Sequence, residues 1–220
     1  MIRRTLVMTA ASAVAVGVGL TSSAEAASLV LDLEPGGAPL PCSVNCGDVN
    51  GRTFGWAFDV SDTITVDGLG LWDFGADGIG PDVQVGLWQD DGSLLASTSI
   101  TNASLTEASN NPGGVWLFED IAAQTLTAGR YVIGATFFSD TPLFQIGAPT
   151  TTIPEVTVVG GRFDDSGLDS GLAFPGNNAP PLYGPTLRLG DTPVAVPEPT
   201  AVLGLLALAG AGMTLKRKTA

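Results

Sequence analysis

The side chains that could do chemistry in this chain are almost all carboxylates. Of its 220 residues, 22 are Asp or Glu, nine are Lys or Arg, and none is His. Without histidine there is no Ser-His-Asp or Cys-His relay and no histidine-bound zinc. No lysine lies between Ala27 and Pro199, so that stretch offers no Schiff-base nucleophile. Phosphate-cradling GxxxxGK loops are missing. What remains is carboxylate chemistry: an opposed pair that could cleave a glycosidic bond, or oxygen ligands for a hard cation. The best local constellation is Asp73-Phe-Gly-Ala-Asp77-Gly-Ile-Gly-Pro-Asp82. Two readings of it stand. Asp73, Asp77 and Asp82 could hold Ca2+ in a glycine-rich loop whose carbonyls turn inward, although the spacing is not that of an EF-hand. Alternatively the aspartates only shape Asx turns. Four tryptophans invite a sugar-stacking reading. Trp56 shares an alternating face with Phe54 and Phe58 and reads as core, and Trp116 has apolar neighbours on both faces. Core packing is the first reading for each of the four; Trp72 and Trp88, at strand ends beside Asp73 and Gln89, are the two better placed for a ligand surface. Cys42 and Cys46 are the only cysteines. In an oxidising compartment they read as a disulfide closing a tight loop. A metal site there would need further soft ligands, and none is near in sequence.

These residues must be positioned by strands. Phe54, Trp56, Phe58 and Val60 alternate with Gly55, Ala57 and Asp59, the pattern of a half-buried strand. Ile64 and Val66 continue it, Asp67-Gly68 shifts the register, and Leu69 and Leu71 resume it, which predicts a bulge at Gly68. Val83, Val85 and Leu87 form the next face, and Asp90-Asp91-Gly92-Ser93 is a hairpin turn before Leu94 to Ile100. Further strands are expected at Val115 to Ile121, Arg130 to Phe138, Glu155 to Phe163 and Pro185 to Leu189. Long loops are expected at 101–114 and 164–182. No helical period appears outside the two termini. The expected fold is all-β, an antiparallel sandwich or jelly roll.

Both ends of the chain carry targeting patterns. Arg3-Arg4, the apolar run Leu6 to Leu20, and Thr21 to Ala26 ending in Ala-x-Ala read as a signal-peptide helix cut after Ala26. Near the other end, Thr200 to Leu215 is uncharged and apolar, and Lys216-Arg217-Lys218 follows. As a helix at about 1.5 Å per residue, the run from Ala201 spans roughly 24 Å. That is short for a hydrocarbon core of about 30 Å, a mismatch that snorkelling cations can absorb. The basic cluster would stay cytoplasmic and everything before Pro199 would lie outside. Between Ala27 and Pro199 there are 21 acidic and four basic residues, a net charge of −17. Such a surface repels nucleic acid and anionic headgroups. It equally serves as solubility for a secreted β-protein.

The order Pro197-Glu198-Pro199, apolar span, Lys216-Arg217-Lys218 resembles the PEP-CTERM sorting signal of Gram-negative bacteria. The resemblance covers about the last 25 residues. It implies Sec-type export with signal peptidase, transient membrane insertion, and processing by an exosortase-type transpeptidase near the motif. A second resemblance covers roughly residues 48–190. It rests on Gly55-Trp56-Ala-Phe58, Val85-Gly86-Leu87-Trp88, Asp91-Gly92-Ser93-Leu94-Leu95-Ala96, Leu126-Thr-Ala-Gly129-Arg-Tyr131-Val132-Ile133-Gly134, Leu172-Ala-Phe174-Pro175 and Tyr183-Gly184-Pro185. This series looks like an uncharacterised sandwich domain of exported bacterial proteins, which brings no catalytic residues with it. The expected organisation is then a signal peptide (1–26), an N-terminal strand with the disulfide loop (27–47), the sandwich (48–190), a linker (191–196) and the sorting signal (197–220). The expected role is non-enzymatic: a structural or adhesive component of the cell surface or extracellular matrix, with exopolysaccharide as partner. Two alternatives remain open, a carboxylate-dependent glycan-active enzyme and a permanently membrane-anchored envelope protein.

Overall fold

The computed structural model describes residues 28–36, 51–136, 145–146, 149–164, 166, 171–180 and 182–190. The signal peptide, Cys42 and Cys46, Pro197 to Pro199, the span Thr200 to Leu215 and Lys216 to Lys218 lie outside them. Among the described residues there is no α-helix, and no helix long and apolar enough to cross a membrane. The strands are β1 (Leu31–Leu33), β2 (Thr53–Val60), β3 (Ile64–Phe74), β4 (Val83–Gln89), β5 (Leu94–Ile100), β6 (Leu105–Glu107) and β7 (Gly114–Leu126) in the first half. The second half contributes β8 (Gly129–Thr136), β9 (Gln145–Ile146), β10 (Thr150–Thr152), β11 (Val156–Phe163), β12 (Asn177–Ala179), β13 (Leu182–Tyr183) and β14 (Pro185–Leu189). A six-stranded sheet runs β12-β11-β2-β8-β4-β5 and a four-stranded sheet β14-β3-β7-β6, with two-stranded ribbons β1-β10 and β13-β9. Every pairing is antiparallel.

The alternation read at 54–60 is β2, and its apolar residues enter the common core. Trp56, Phe58 and Val60 from the six-stranded sheet join Leu69, Leu71, Trp116, Phe118 and Leu187 from the four-stranded one in a single buried cluster. The contact between sheets is partly polar: the Trp56 indole donates to the Pro185 carbonyl at 2.8 Å. This pins β2 to β14 and satisfies a buried donor that would otherwise be costly. The expected register shift is present. Against β14 the pairing of β3 jumps from Val66 to Gly68 with no residue skipped on β14, leaving Asp67 as the extra residue; against β7 the same step skips three residues of β7, 121–123. The bulge turns the Asp67 carboxylate onto Arg188, whose Nε donates to it at 2.8 Å.

Two expected loops contain strands. Stretch 101–114 holds β6, which pairs with β7, and stretch 164–182 holds β12, which pairs with β11. Each is three residues long and rich in polar side chains, so neither shows the alternation by which strands are recognised.

β3 is buried on both faces. Residues paired across a ladder share a face, and side chains alternate along a strand. Gly70, Phe118 and Thr186 are therefore on one face, with Trp72 and Trp116 beside them. Leu69, Leu71, Leu117 and Leu187 take the other. The first of these faces is covered by β1. The Thr186 hydroxyl donates to the Leu31 carbonyl at 2.7 Å and accepts from the Leu31 N–H at 3.3 Å. Leu31 and Leu33 are fully buried there. Just before β1 the chain extends the edge of β14, with Val30 N–H to Leu187 O and Leu189 N–H to Ser28 O both at 2.9 Å.

Candidate functional site

Trp72 and Trp88 do not form a ligand surface. Trp72 has no exposed surface and Trp88 has 4%. The Trp72 ring packs edge-on against Trp116, with centroids 5.1 Å apart. It also lies over Gly114, where a Cβ would stand 2.7 Å from the indole. β3 continues to Phe74, and β1 arrives from 40 residues upstream to close that face. Trp88 folds back over Gly86, where a Cβ would stand 2.5 Å from its ring, and Phe174 closes on it edge-on at 6.2 Å. Both rings are sheet packing.

The carboxylates Asp73, Asp77 and Asp82 do not form one group, and among the described residues no cluster of three acidic or soft ligands could hold a metal ion. Asp73 and Asp77 share a recess of about 350 Å³ with Gly78, Asn102, Thr106 and Leu117; Asp82 does not line it. The loop is wound tightly instead. Gly75, Ala76, Gly78 and Gly80 all have positive φ. Asp73 accepts from the Gly78 N–H at 3.2 Å, and the Asn102 amide oxygen accepts from the Ile79 N–H at 2.9 Å. These two bonds seat Ile79, 1% exposed, in the core. Burial pushes the Asp73 carboxyl above the ordinary aspartate range, and the neighbouring Asp77 charge adds to the effect against the Gly78 hydrogen bond. The loop is an Asx-type structure holding a hydrophobic plug.

A second recess, about 380 Å³, lies between the β1-β10 ribbon and the loop before β7. It is lined by Ser28, Leu29, Asp32, Ala108, Ser109, Asn110, Thr151, Thr152 and Ile153. Asp32 is its anchor. One oxygen accepts from Leu33 N–H (2.8 Å), Ser109 Oγ (2.5 Å) and the Trp116 indole (2.8 Å). The other accepts from Asn110 N–H at 2.8 Å. Glu34 repeats the theme one pleat along, accepting from Thr151 Oγ1 and from Asn110 Nδ2 at 3.3 Å. The Glu34 carbonyl takes Asn111 Nδ2 at 3.2 Å. Alternation along β1 explains the arrangement: Leu31 and Leu33 point into the core, so Asp32 and Glu34 face the 108–111 loop. Among the described residues no lysine or arginine lines the recess. Its residues come from positions near 30, 110 and 152. The only local signals for it are the Leu-Asp-Leu-Glu alternation and the Ser109-Asn110-Asn111 loop.

Most other carboxylates with defined partners hold the fold. Asp59 takes a bidentate bond from Arg130, which keeps its carboxyl below the ordinary range. Arg188 joins Asp67 to Asp120 while lying over the Phe118 ring. Burial opposes the Arg188 charge, but these two carboxylates outweigh it and raise its pKa. The Ser93 N–H holds Asp91 low in the β4-β5 turn. The chain matches no family model, no curated protein and no solved structure.

Proposed function

We propose that this is an exported cell-surface or extracellular-matrix protein, sorted by an exosortase-type enzyme, whose described part is a β-sandwich with a non-enzymatic structural or adhesive role. The observation that carries the reading is the ordered series Pro197-Glu198-Pro199, apolar span, Lys216-Arg217-Lys218. Proline on both sides of Glu198 disfavours a helix across the motif, which suits recognition by a processing enzyme. The removable tail follows the logic of other temporary membrane stops. The all-β architecture with two sheets sharing one core suits an extracellular module. The use of carboxylates supports a non-enzymatic role. Asp32 and Asp73 each line a recess, but Asp32 accepts four hydrogen bonds from its own fold and Asp73 accepts the Gly78 N–H that closes its loop, so both are engaged in holding structure.

Intact mass of the protein recovered from its host's surface or medium tests the reading. The expected species lacks residues 1–26 and the segment after about Pro199, and is lighter by the two hydrogens of a Cys42–Cys46 disulfide. Glu198→Ala should leave the tail attached. Retention of Lys216-Arg217-Lys218 in the wild type would overturn sorting and leave a permanently anchored envelope protein.

A further inference from the structure

We propose that the recess between the β1-β10 ribbon and the 108–110 loop binds a neutral, hydroxyl-rich ligand, one or two sugar units of a polysaccharide chain. The inference rests on the surface or matrix role proposed above and gives that role a site. Four observations carry it. The volume, about 380 Å³, falls within the range of about 300–1,000 Å³ usual for small-ligand clefts. The lining mixes hydroxyls (Ser28, Ser109, Thr151, Thr152), an amide (Asn110) and short apolar surfaces (Leu29, Ala108, Ile153). A pyranose offers the complement, O–H groups that both donate and accept around C–H faces. Third, Asp32 is held by four donors, three on one oxygen and one on the other. A carboxylate has about four acceptor sites spread over two oxygens, so the singly bonded oxygen keeps room for one ligand hydroxyl. The internal donors offset its charge, which argues against a cation as the preferred ligand. Fourth, no Lys or Arg lines the recess among the described residues, and Glu34 accepts from the Thr151 hydroxyl beside it. In a segment of net charge −17, uronates and phosphates are repelled. The site is also preorganised: Trp116, Leu33 and Asn110 fix Asp32, and Asn111 ties the loop to Glu34. Little ordering is then left for the ligand to impose.

The test titrates the full chain calorimetrically with cellotetraose, maltotetraose, laminaritetraose and xylotetraose, and with tetragalacturonate as the charged control. At least one neutral oligosaccharide should bind, at least tenfold more tightly than the uronate. Hydrogen exchange should slow at 108–110 and 151–153 on binding. Ala108→Trp fills the rim without removing any internal hydrogen bond, and should weaken binding at least tenfold with an unchanged melting temperature. If that variant fails to fold, the exchange map of the wild type decides the matter alone. Absence of binding by all four neutral sugars, protection elsewhere, or equal binding of the uronate would overturn the proposal. A protein whose tail is removed but which takes no neutral sugar ends this inference and leaves sorting intact. Sugar held in the recess by a protein that keeps Lys216-Arg217-Lys218 does the reverse.

Discussion

Two tryptophans that face each other across β3 and β7 show how much a single N–H contributes. Trp72 and Trp116 are both fully buried and share one face, with rings in contact. The Trp116 indole donates to Asp32, while the Trp72 indole finds no acceptor among the described residues. Replacing either ring by Phe removes a similar volume, so the cavity cost is similar. The difference isolates the hydrogen bond, which to a charged acceptor is worth about 1.5–3 kcal/mol. Trp116→Phe is therefore expected to destabilise more than Trp72→Phe by about that amount in urea unfolding. Equal losses would show that the Asp32 contact adds nothing. Asp73 supplies a second test at this scale. Its folded-state pKa is raised, chiefly by burial. Its contribution is then fully present below the unfolded value of about 3.9 and is lost as pH rises through the folded value. At neutral pH the ionised carboxylate opposes the fold. Asp73→Asn keeps an acceptor for the Gly78 N–H and should raise the melting temperature at pH 7. The gain should fade below about pH 4. A gain of the same size at every pH would contradict the burial argument.

At the scale of elements, three glycines lie in one row across the six-stranded sheet: Gly55 pairs with Gly134, and Gly134 with Gly86. They are not interchangeable. A Cβ on Gly86 would meet the Trp88 ring, a side chain that can move. A Cβ on Gly55 would stand 1.9 Å from the Ile133 carbonyl oxygen, which belongs to the neighbouring strand's backbone. Overpacking against side chains costs about 1–3 kcal/mol, and against a fixed ladder it costs more. Gly55→Ala should then lose about 3 kcal/mol or more, and Gly86→Ala clearly less, in the same unfolding assay. The opposite order would mean that β8 yields more easily than the Trp88 ring. Much of this architecture was legible in the sequence because strand faces alternate locally: β2 and β4 follow their apolar periods, and the Asp67-Gly68 step marks the bulge. What sequence could not give is what lies over a face. Trp72 reads as a strand-end residue until β1, far upstream, is laid across it. Trp88 reads as exposed until Phe174 closes on it. The recess around Asp32 is illegible for the same reason, since its three segments meet only through the β1-β10 pairing and the hydrogen bonds of Asp32 and Glu34 to the 108–111 loop.

The whole molecule is organised against its own charge. The segment from Ala27 to Pro199 carries a net −17 with four arginines, and folding brings those carboxylates closer together than the extended chain does. Two arginines form local clusters. Arg130 pairs with Asp59 where both side chains are more than 40% exposed, and solvent screens such a pair strongly. Arg188 is better enclosed, 13% exposed, and bridges Asp67 and Asp120. Screening weakens attraction and repulsion alike, so the sign of the salt effect tells which dominates. The Debye length falls from about 30 Å at 0.01 M to about 8 Å at 0.15 M salt. The first distance spans a small domain, and the second restricts interaction to near neighbours. The many like charges separated by tens of ångströms are screened most, and the few contact pairs least. Sodium chloride between these limits is therefore expected to raise the melting temperature of the full chain. Each kcal/mol of relief is worth about 2–4 °C for a chain of this size. Chloride is the better choice over sulfate, which strengthens apolar burial in any protein and would blur the result. A falling melting temperature would show instead that the Arg188 and Arg130 clusters outweigh the collective repulsion. The acidic surface would then be no burden on the fold.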